Sequence, residues 1–296
     1  MGAEVVPLPR AEAPATGPVT ELAQFLDLVA APGRPPIDAG QVMVVVAHPD
    51  DETLGAGALL PRLRGVRLVH VTDGAPLSMT DATAAGFSTR EDYAAARLAE
   101  LRAAMDLAGV PGDALHALGV IDQGVGDDLP GIARRLADLM AAFDTAIVLT
   151  HAYEGGHPDH DGVSYAVRAA SDLLAAAGRR APGIAEMPLY HADGAGLARQ
   201  RFPAALDYDA PETGVLLDET ARSLKRRMME CFRTQAYILD AFTSEVERFR
   251  LAQGLDHRLL PNSGDLWYER FAWGMTGPRW LALVAAADRA LGLERP

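Results

Sequence analysis

The chain has 296 residues, 49% of them hydrophobic and 23% charged, and a formal net charge of −13. Such a composition builds a sizeable core, and its acidity argues against a nucleic-acid or anionic-membrane surface, which needs clustered Lys and Arg. Cys231 is the only cysteine, which excludes an intramolecular disulfide and a Cys-rich metal site. With no secretory-type start and no apolar run of about 18 residues, a soluble cytoplasmic protein without a membrane span is expected. The oligomeric state stays open.

In chain order, residues 1–18 are Pro- and Ala-rich and aperiodic, which predicts a surface-draped arm. "VTELAQFLDLVA" follows, with Leu22, Phe25, Leu26 and Val29 at helical spacing and Thr20 as a candidate cap. Residues 1–40 are read as an arm with a short helix, and 41–296 as a single α/β domain with a helical C-terminal elaboration. From residue 41, apolar β-branched runs alternate with amphipathic stretches. "QVMVVVA", "VRLVHVTDG", the weaker "ALHALGV", "TAIVLTH" and "EMPLYHAD" read as strands. Between them, "ETLGAGALLPRLRG", "REDYAAARLAELRAAMDLAG", "LPGIARRLADLMAAF" and "DHDGVSYAVRAASDLLAAAG" read as helices. Continuous apolar strands separated by helices imply a Rossmann-like, doubly wound, mostly parallel sheet with helices on both faces. After about residue 210 the pattern turns helical, with "DETARSLKRRMMECFRTQAYILDAF" and "PRWLALVAAADRALGL" clearest. Cys231 reads as a half-buried thiol on the first of these.

Two polar clusters stand out. "AHPDDE" (47–52) directly follows the first apolar strand, and "HAYEGGHPDHD" (151–161) follows "TAIVLTH". In a doubly wound sheet both would reach the same edge, outside the carboxyl ends of the strands, where ligands bind. Three consecutive acids repel one another unless a cation sits among them. His48 and Asp51 are three apart, as are His157 and His160, a spacing that brings side chains to one side of a turn entering a helix. A His/Asp/His set with one open position is the ligand chemistry of a catalytic zinc site. It would also leave one of Asp50 and Asp51 free to act as a base. Gly155 and Gly156 would allow close approach to a ligand. The competing reading is that both motifs merely cap helix N-termini. Asp73, at the end of "VRLVHVTDG", and His151 are candidates to line the pocket, against a turn and a strand-end partner respectively. His70 reads as a core histidine. Core packing is favoured for Trp267, Trp273 and Trp280 over a sugar-stacking wall.

The paired motifs "AHPDDE" and "HPDH" resemble those of the PIG-L/LmbE-like family of zinc-dependent N-acetylglucosaminyl deacetylases, over roughly residues 41–240. The resemblance implies His48, Asp51 and His160 as metal ligands, Asp50 as general base, His157 as the group stabilising the oxyanion, and Asp159 as its orienting partner. "ARLAELRAAMDLAGV" is similar to the family's R-x-x-E-L segment, which points to Arg97 as a sugar contact. "GVIDQG" sits where members carry an aspartate that holds sugar hydroxyls, which points to Asp122. "LKRRMMECFRTQ" resembles a K…SQ helix with Thr234 in place of Ser. Some relatives carry a tyrosine where this chain has Gly155, which leaves Tyr153 as a substitute. The implied cofactor is Zn²⁺, with Fe²⁺ as the other candidate, and the implied partner is a small amino-sugar conjugate. The implied reaction is metal-dependent removal of an N-acetyl or similar acyl group, with His157 held protonated by Asp159. The rivals are a metal-dependent hydratase of a small unsaturated dicarboxylate on the same fold, and a non-catalytic sugar-binding protein.

Overall fold

The computed structural model describes residues 20–203, 211–252 and 254–294. The expected arm over 1–18 lies outside them. The first strand, β1 (Val42–Val46), forms where five apolar residues run together, a pattern that suits a strand buried on both faces. Its side chains alternate between two cores: Val42, Val44 and Val46 enter one, and Met43 and Val45 the other. Burial of each such side chain contributes roughly 1.5–3 kcal/mol, which helps to offset the crowding of charge at the strand's end.

Four more strands follow: β2 (Arg67–Pro76), β3 (Leu115–Asp122), β4 (Ile147–His151) and β5 (Gly183–Met187). They run parallel to β1 in the order β3-β2-β1-β4-β5. The order reverses between β1 and β4, so the crevice for a ligand opens at the carboxyl ends of those two strands. Helices cover both faces. α1 (Leu22–Ala30), α2 (Asp51–Ala56), α3 (Arg90–Ala108) and α6 (Glu219–Met229) supply Phe25, Leu54, Leu101 and Met228 to one core. α4 (Leu129–Ala142), α5 (Pro158–Ala176) and α7 (Gly277–Leu291) supply Leu136, Val163 and Trp280 to the other. The long helix α3 carries the expected signals: Thr89 Oγ1 accepts from Asp92 N, and Gly109 closes the helix at φ 72°. β3 reads weakly because it is an edge strand whose side chains are only half-buried.

Several expectations are corrected. Thr20 does not cap α1; Glu21 occupies that position and no side chain caps it. The helix expected over 52–65 stops at Ala56, and a 3₁₀ turn containing Pro61 follows at Leu60–Arg62. "EMPLYHAD" is not one strand. β5 ends at Met187, and after Pro188 a hairpin forms from Tyr190–Asp193 and Gly196–Arg199. The C-terminal region also contributes β6 (Glu212–Leu216) and β7 (Val246–Leu251), which extend the sheet antiparallel beyond β5. β7 escapes a hydrophobic reading because it buries charge. Glu247 pairs with Lys225 at 2.8 Å and Arg250 with Glu186 at 2.8 Å.

Candidate active site

The three acids after β1 separate onto three different partners. Asp50 stands at φ 128° just before α2, a conformation that L-residues rarely adopt and that costs on the order of 1–3 kcal/mol. Glu52 holds this turn. Its buried Oε2 accepts from Asp50 N and lies 3.0 Å from His70 Nε2, while Oε1 accepts from Thr53 Oγ1. His70 is therefore buried, as expected, and is tied to the motif. Asp50 turns to Arg97, whose Nη2 donates to Asp50 Oδ2 at 3.1 Å. Asp51 turns the other way, towards the histidines.

There the first and second motifs meet. His48 Nδ1 lies 3.2 Å from Asp51 Oδ2 and 3.3 Å from His160 Nε2, and His160 Nε2 lies 3.4 Å from Asp51 Oδ1. For ligand bonds of about 2.0–2.1 Å in tetrahedral geometry, neighbouring ligand atoms stand about 3.3–3.4 Å apart. The donor set, the spacing and the burial of all three residues fit a divalent ion; His48 and His160 also group with His157, and Asp51 and His160 with His151, at metal-ligand spacing. His48 Nε2 faces Asp122 Oδ1 at 3.1 Å and Asp159 Oδ2 at 3.4 Å, the carboxylate–histidine arrangement that orients a metal-ligating ring. Burial opposes charge on His48, but Asp122, Asp159 and Asp51 outweigh it and hold its pKa well above the usual histidine value. Burial also opposes ionisation of Asp51, yet the facing His160 and His151 hold its carboxyl well below the ordinary range. Asp50, by contrast, is pushed well above it by burial, against the pull of Arg97.

His157 caps α5, and its Nδ1 accepts the backbone N–H of Asp159 at 3.1 Å. This leaves the ring proton on Nε2, which faces Asp122 Oδ1 at 3.9 Å. The expectation of a protonated His157 is corrected. Burial, together with the neighbouring His48, lowers its pKa to about 3. The expected role of the Asp159 carboxylate is corrected as well. It accepts from Gln123 N and Val125 N, and so anchors the loop after β3 rather than bonding the His157 ring.

An inner cavity of about 120 Å³ covers these groups, its wall including His48, Asp50, Asp122, His157, Tyr190 and Trp273. Arg97 also reaches it, but its guanidinium is engaged: Nη1 donates to Gly74 O, and Nη2 to Pro49 O as well as Asp50. Gly74 is required there, since a Cβ would stand 2.9 Å from Arg97 Cζ at a φ of +65°. Three sequence candidates lie elsewhere. Asp73 turns outward to cap Ala75 N and pair with Arg90 at 2.6 Å. His151 lies behind the metal-type cluster, accepting from Ala47 N and stacking on His160 at 4.2 Å. Tyr153 packs in the core, where its hydroxyl accepts from Trp280 Nε1 and donates to Leu259 O. Gly155 and Gly156 make room for protein, not ligand, since a Cβ on Gly156 would stand 2.0 Å from Tyr190 O.

Sequence reasoning missed Tyr190 and Tyr93, and took Gln235 only as the glutamine of the K…SQ-like stretch. Tyr190 was hidden in an apparent strand, and Gln235 Nε2 donates to Tyr93 OH across 142 residues of sequence. Trp280 is core, as expected, whereas Trp273 stands in the cavity wall with its ring 4.8 Å from that of His157.

Comparison with known proteins bears on the fold that positions this site. The antimicrobial A40926 pseudoaglycone deacetylase Dbv21 shares the fold at TM-score 0.53 and 22% identity, over 72% of this chain and 97% of that one. A teicoplanin-pathway deacetylase solved with teicoplanin gives 0.54 and 16%, over 71% and 97%. GalB, the 4-carboxy-2-hydroxymuconate hydratase of Pseudomonas putida KT2440, gives 0.52 and 17%, over 73% and 97%. A search of curated proteins gives no significant match. The PIG-L family model, described as GlcNAc-PI de-N-acetylase, matches residues 43–171, a stretch that contains β1, β4 and both histidine motifs. The stretch that builds the two histidine motifs is therefore similar to the PIG-L family.

Proposed function

We propose that the protein is a metal-dependent hydrolase that removes an acetyl or similar acyl group from the nitrogen of an amino-sugar conjugate. The observation that carries this reading is the convergence of His48 Nδ1, the Asp51 carboxylate and His160 Nε2 at 3.2–3.4 Å beside Asp50 in the inner cavity. The family match and the deacetylases among the structures of the same fold support it. His48, Asp51 and His160 would hold the ion; zinc is proposed, with ferrous iron as the alternative. Such an ion polarises an amide carbonyl and acidifies water.

The chain supplies the rest. Arg97 fixes Oδ2 of Asp50, leaving Oδ1 to take a proton from the attacking water and return it to the sugar nitrogen as the C–N bond breaks. His157, neutral with its proton on Nε2, donates a hydrogen bond to the developing oxyanion. Products are acetate and a free amine. Asp122, held against His48, lines the cavity where sugar hydroxyls would lie.

The dicarboxylate hydratase reading is less well supported, although GalB shares the fold. A dicarboxylate beside the ion calls for several free cations. Arg97 is the one arginine in the inner wall among the described residues, and it is already bonded to two carbonyls and Asp50. No helix among the described residues is long and apolar enough to cross a membrane, and a cytoplasmic setting is part of the same proposal. The test is amine and acetate release from a panel of N-acetylated amino-sugar conjugates, run beside water addition to unsaturated dicarboxylates. Amine release is expected. Hydration without amine release would overturn the deacetylase reading.

A further inference from the structure

The inner cavity does not end at the metal-type cluster. It opens into an outer basin of about 650 Å³, with Tyr190, Ile238, Phe242 and Trp273 shared between the two walls. Rings and aliphatic groups make up most of the basin wall, with Ser78, Thr80, Asp81 and Gln123 along one part of it. Phe271 stacks on Trp273 at 4.5 Å and 15°, and Trp267 meets Phe271 edge-on at 5.9 Å. At the rim Tyr237 is 65% exposed, Phe271 41% and Ile238 40%. Aromatic and aliphatic surface of this kind, left to water beside a polar catalytic pocket, is unfavourable unless a ligand covers it.

One cation faces this apolar wall. Arg199, at the end of the hairpin strand Gly196–Arg199, lines the basin with its guanidinium carbon 5.8 Å from the centroid of the Phe242 ring. Its Nε is buried without a hydrogen-bond partner, and no carboxylate among the described residues forms an ion pair with it. In a chain of net charge −13, an arginine at the mouth of the cavity that pairs with no carboxylate among the described residues is a candidate anion position. Asp81 stands in the wall of both cavities, its Oδ1 accepting from Tyr237 OH, and its negative charge directs an anionic group towards Arg199 instead.

The geometry points to an aglycone subsite: the outer basin takes an aromatic or similarly apolar aglycone bearing a carboxylate, which Arg199 binds. The acyl-amino sugar then occupies the inner cavity, and this assignment rests on the deacetylase reading for the sugar's orientation. Binding energy gained in the basin would position the amide without touching it.

The experiment compares three N-acetylglucosaminides, the methyl, phenyl and 4-carboxyphenyl glycosides, on the metal-loaded protein. Amine release gives kcat/KM, and quenching of the Trp267 and Trp273 fluorescence gives binding. The phenyl glycoside is expected to exceed the methyl, and the carboxyphenyl to exceed the phenyl by about tenfold, the size of a charge-assisted hydrogen bond. Arg199→Gln should bring the carboxyphenyl-to-phenyl ratio close to one and Arg199→Lys restore part of it, while Tyr237→Ala should lower the phenyl-to-methyl ratio. Turnover of all three glycosides without these preferences, or a carboxylate preference that survives Arg199→Gln, overturns the subsite and leaves the deacetylase reading standing. Arg199-dependent binding of the carboxyphenyl glycoside with no amine release from any glycoside does the reverse. Neither binding nor turnover overturns both.

Discussion

Asp50 and Asp51 are chemically identical neighbours that the fold sends to opposite tasks, and the difference is measurable. With Asp51, His48 and His160 mutually 3.2–3.4 Å apart, His160→Ala should remove most of the bound metal seen by elemental analysis. Asp50→Asn should retain the metal and lose about 10²–10⁴-fold in turnover, the usual size of a general-base contribution. Metal loss in Asp50→Asn with metal retained in Asp51→Asn would mean the two roles are exchanged. Arg97 gives a second contrast. A residue that grips the sugar ring would, when lost, hurt sugar amides more than small acetamides. Because its guanidinium instead braces Asp50, Pro49 O and Gly74 O, Arg97→Gln should lower kcat on both by a similar factor, with little change in KM. A selective rise in KM for the sugar amide would return Arg97 to the sugar.

Between elements, the single lysine of the chain acts as a clamp. From α6, Lys225 Nζ donates to Leu54 O at the end of the short metal-motif helix α2 and to Glu247 on β7, each at 2.8 Å and fully buried. Glu247 in turn accepts from Ala58 N. Three segments remote in sequence thereby meet at the base of the site. Lys225→Met should destabilise the fold by about 3–5 kcal/mol in urea titration, because it strands a buried carboxylate. Adding Glu247→Gln to that variant should recover part of the loss. A cost below about 1 kcal/mol for the single change would show that the pair contributes packing alone. The sequence marks Lys225 only as the lysine of the K…SQ-like stretch and gives it no partner, and "VERFRL" lacks the alternation of a half-buried strand. Long helices such as α3 were legible because their caps and spacing are local.

At the scale of the whole molecule, stability should fall on acidification through a histidine outside the site. His257 is buried against Tyr153 and Tyr165, with Nε2 3.1 Å from Ser164 Oγ, and burial lowers its pKa to about 3. Arg168 adds to that depression, and Asp256 opposes it. An unfolded chain binds this proton near pH 6.5. Between those two values the unfolded state therefore carries more protons, so stability is complete above about pH 6.5 and declines as pH falls towards 3. At pH 5 this one residue should cost roughly 2 kcal/mol. Denaturation midpoints between pH 7 and 5 should therefore slope less in His257→Gln than in the parent, and equal slopes would refute the assignment.

The sequence by itself determined the doubly wound sheet, the meeting of the two histidine motifs at one edge, and the donor types gathered there. Each depends on short-range pattern: apolar runs, helical spacing, and motifs at strand ends. Only the tertiary structure decided which acid faces which partner, that the Asp159 backbone rather than its carboxylate holds His157, and that Asp73, His151 and Tyr153 stand outside the cavity. It also supplied Tyr190, Gln235 and Trp273 to the wall from elements far along the chain. The physical reason is that a side chain's direction at a strand end is set by a few long-range hydrogen bonds. Those partners lie up to about a hundred residues or more away, beyond the reach of any local pattern.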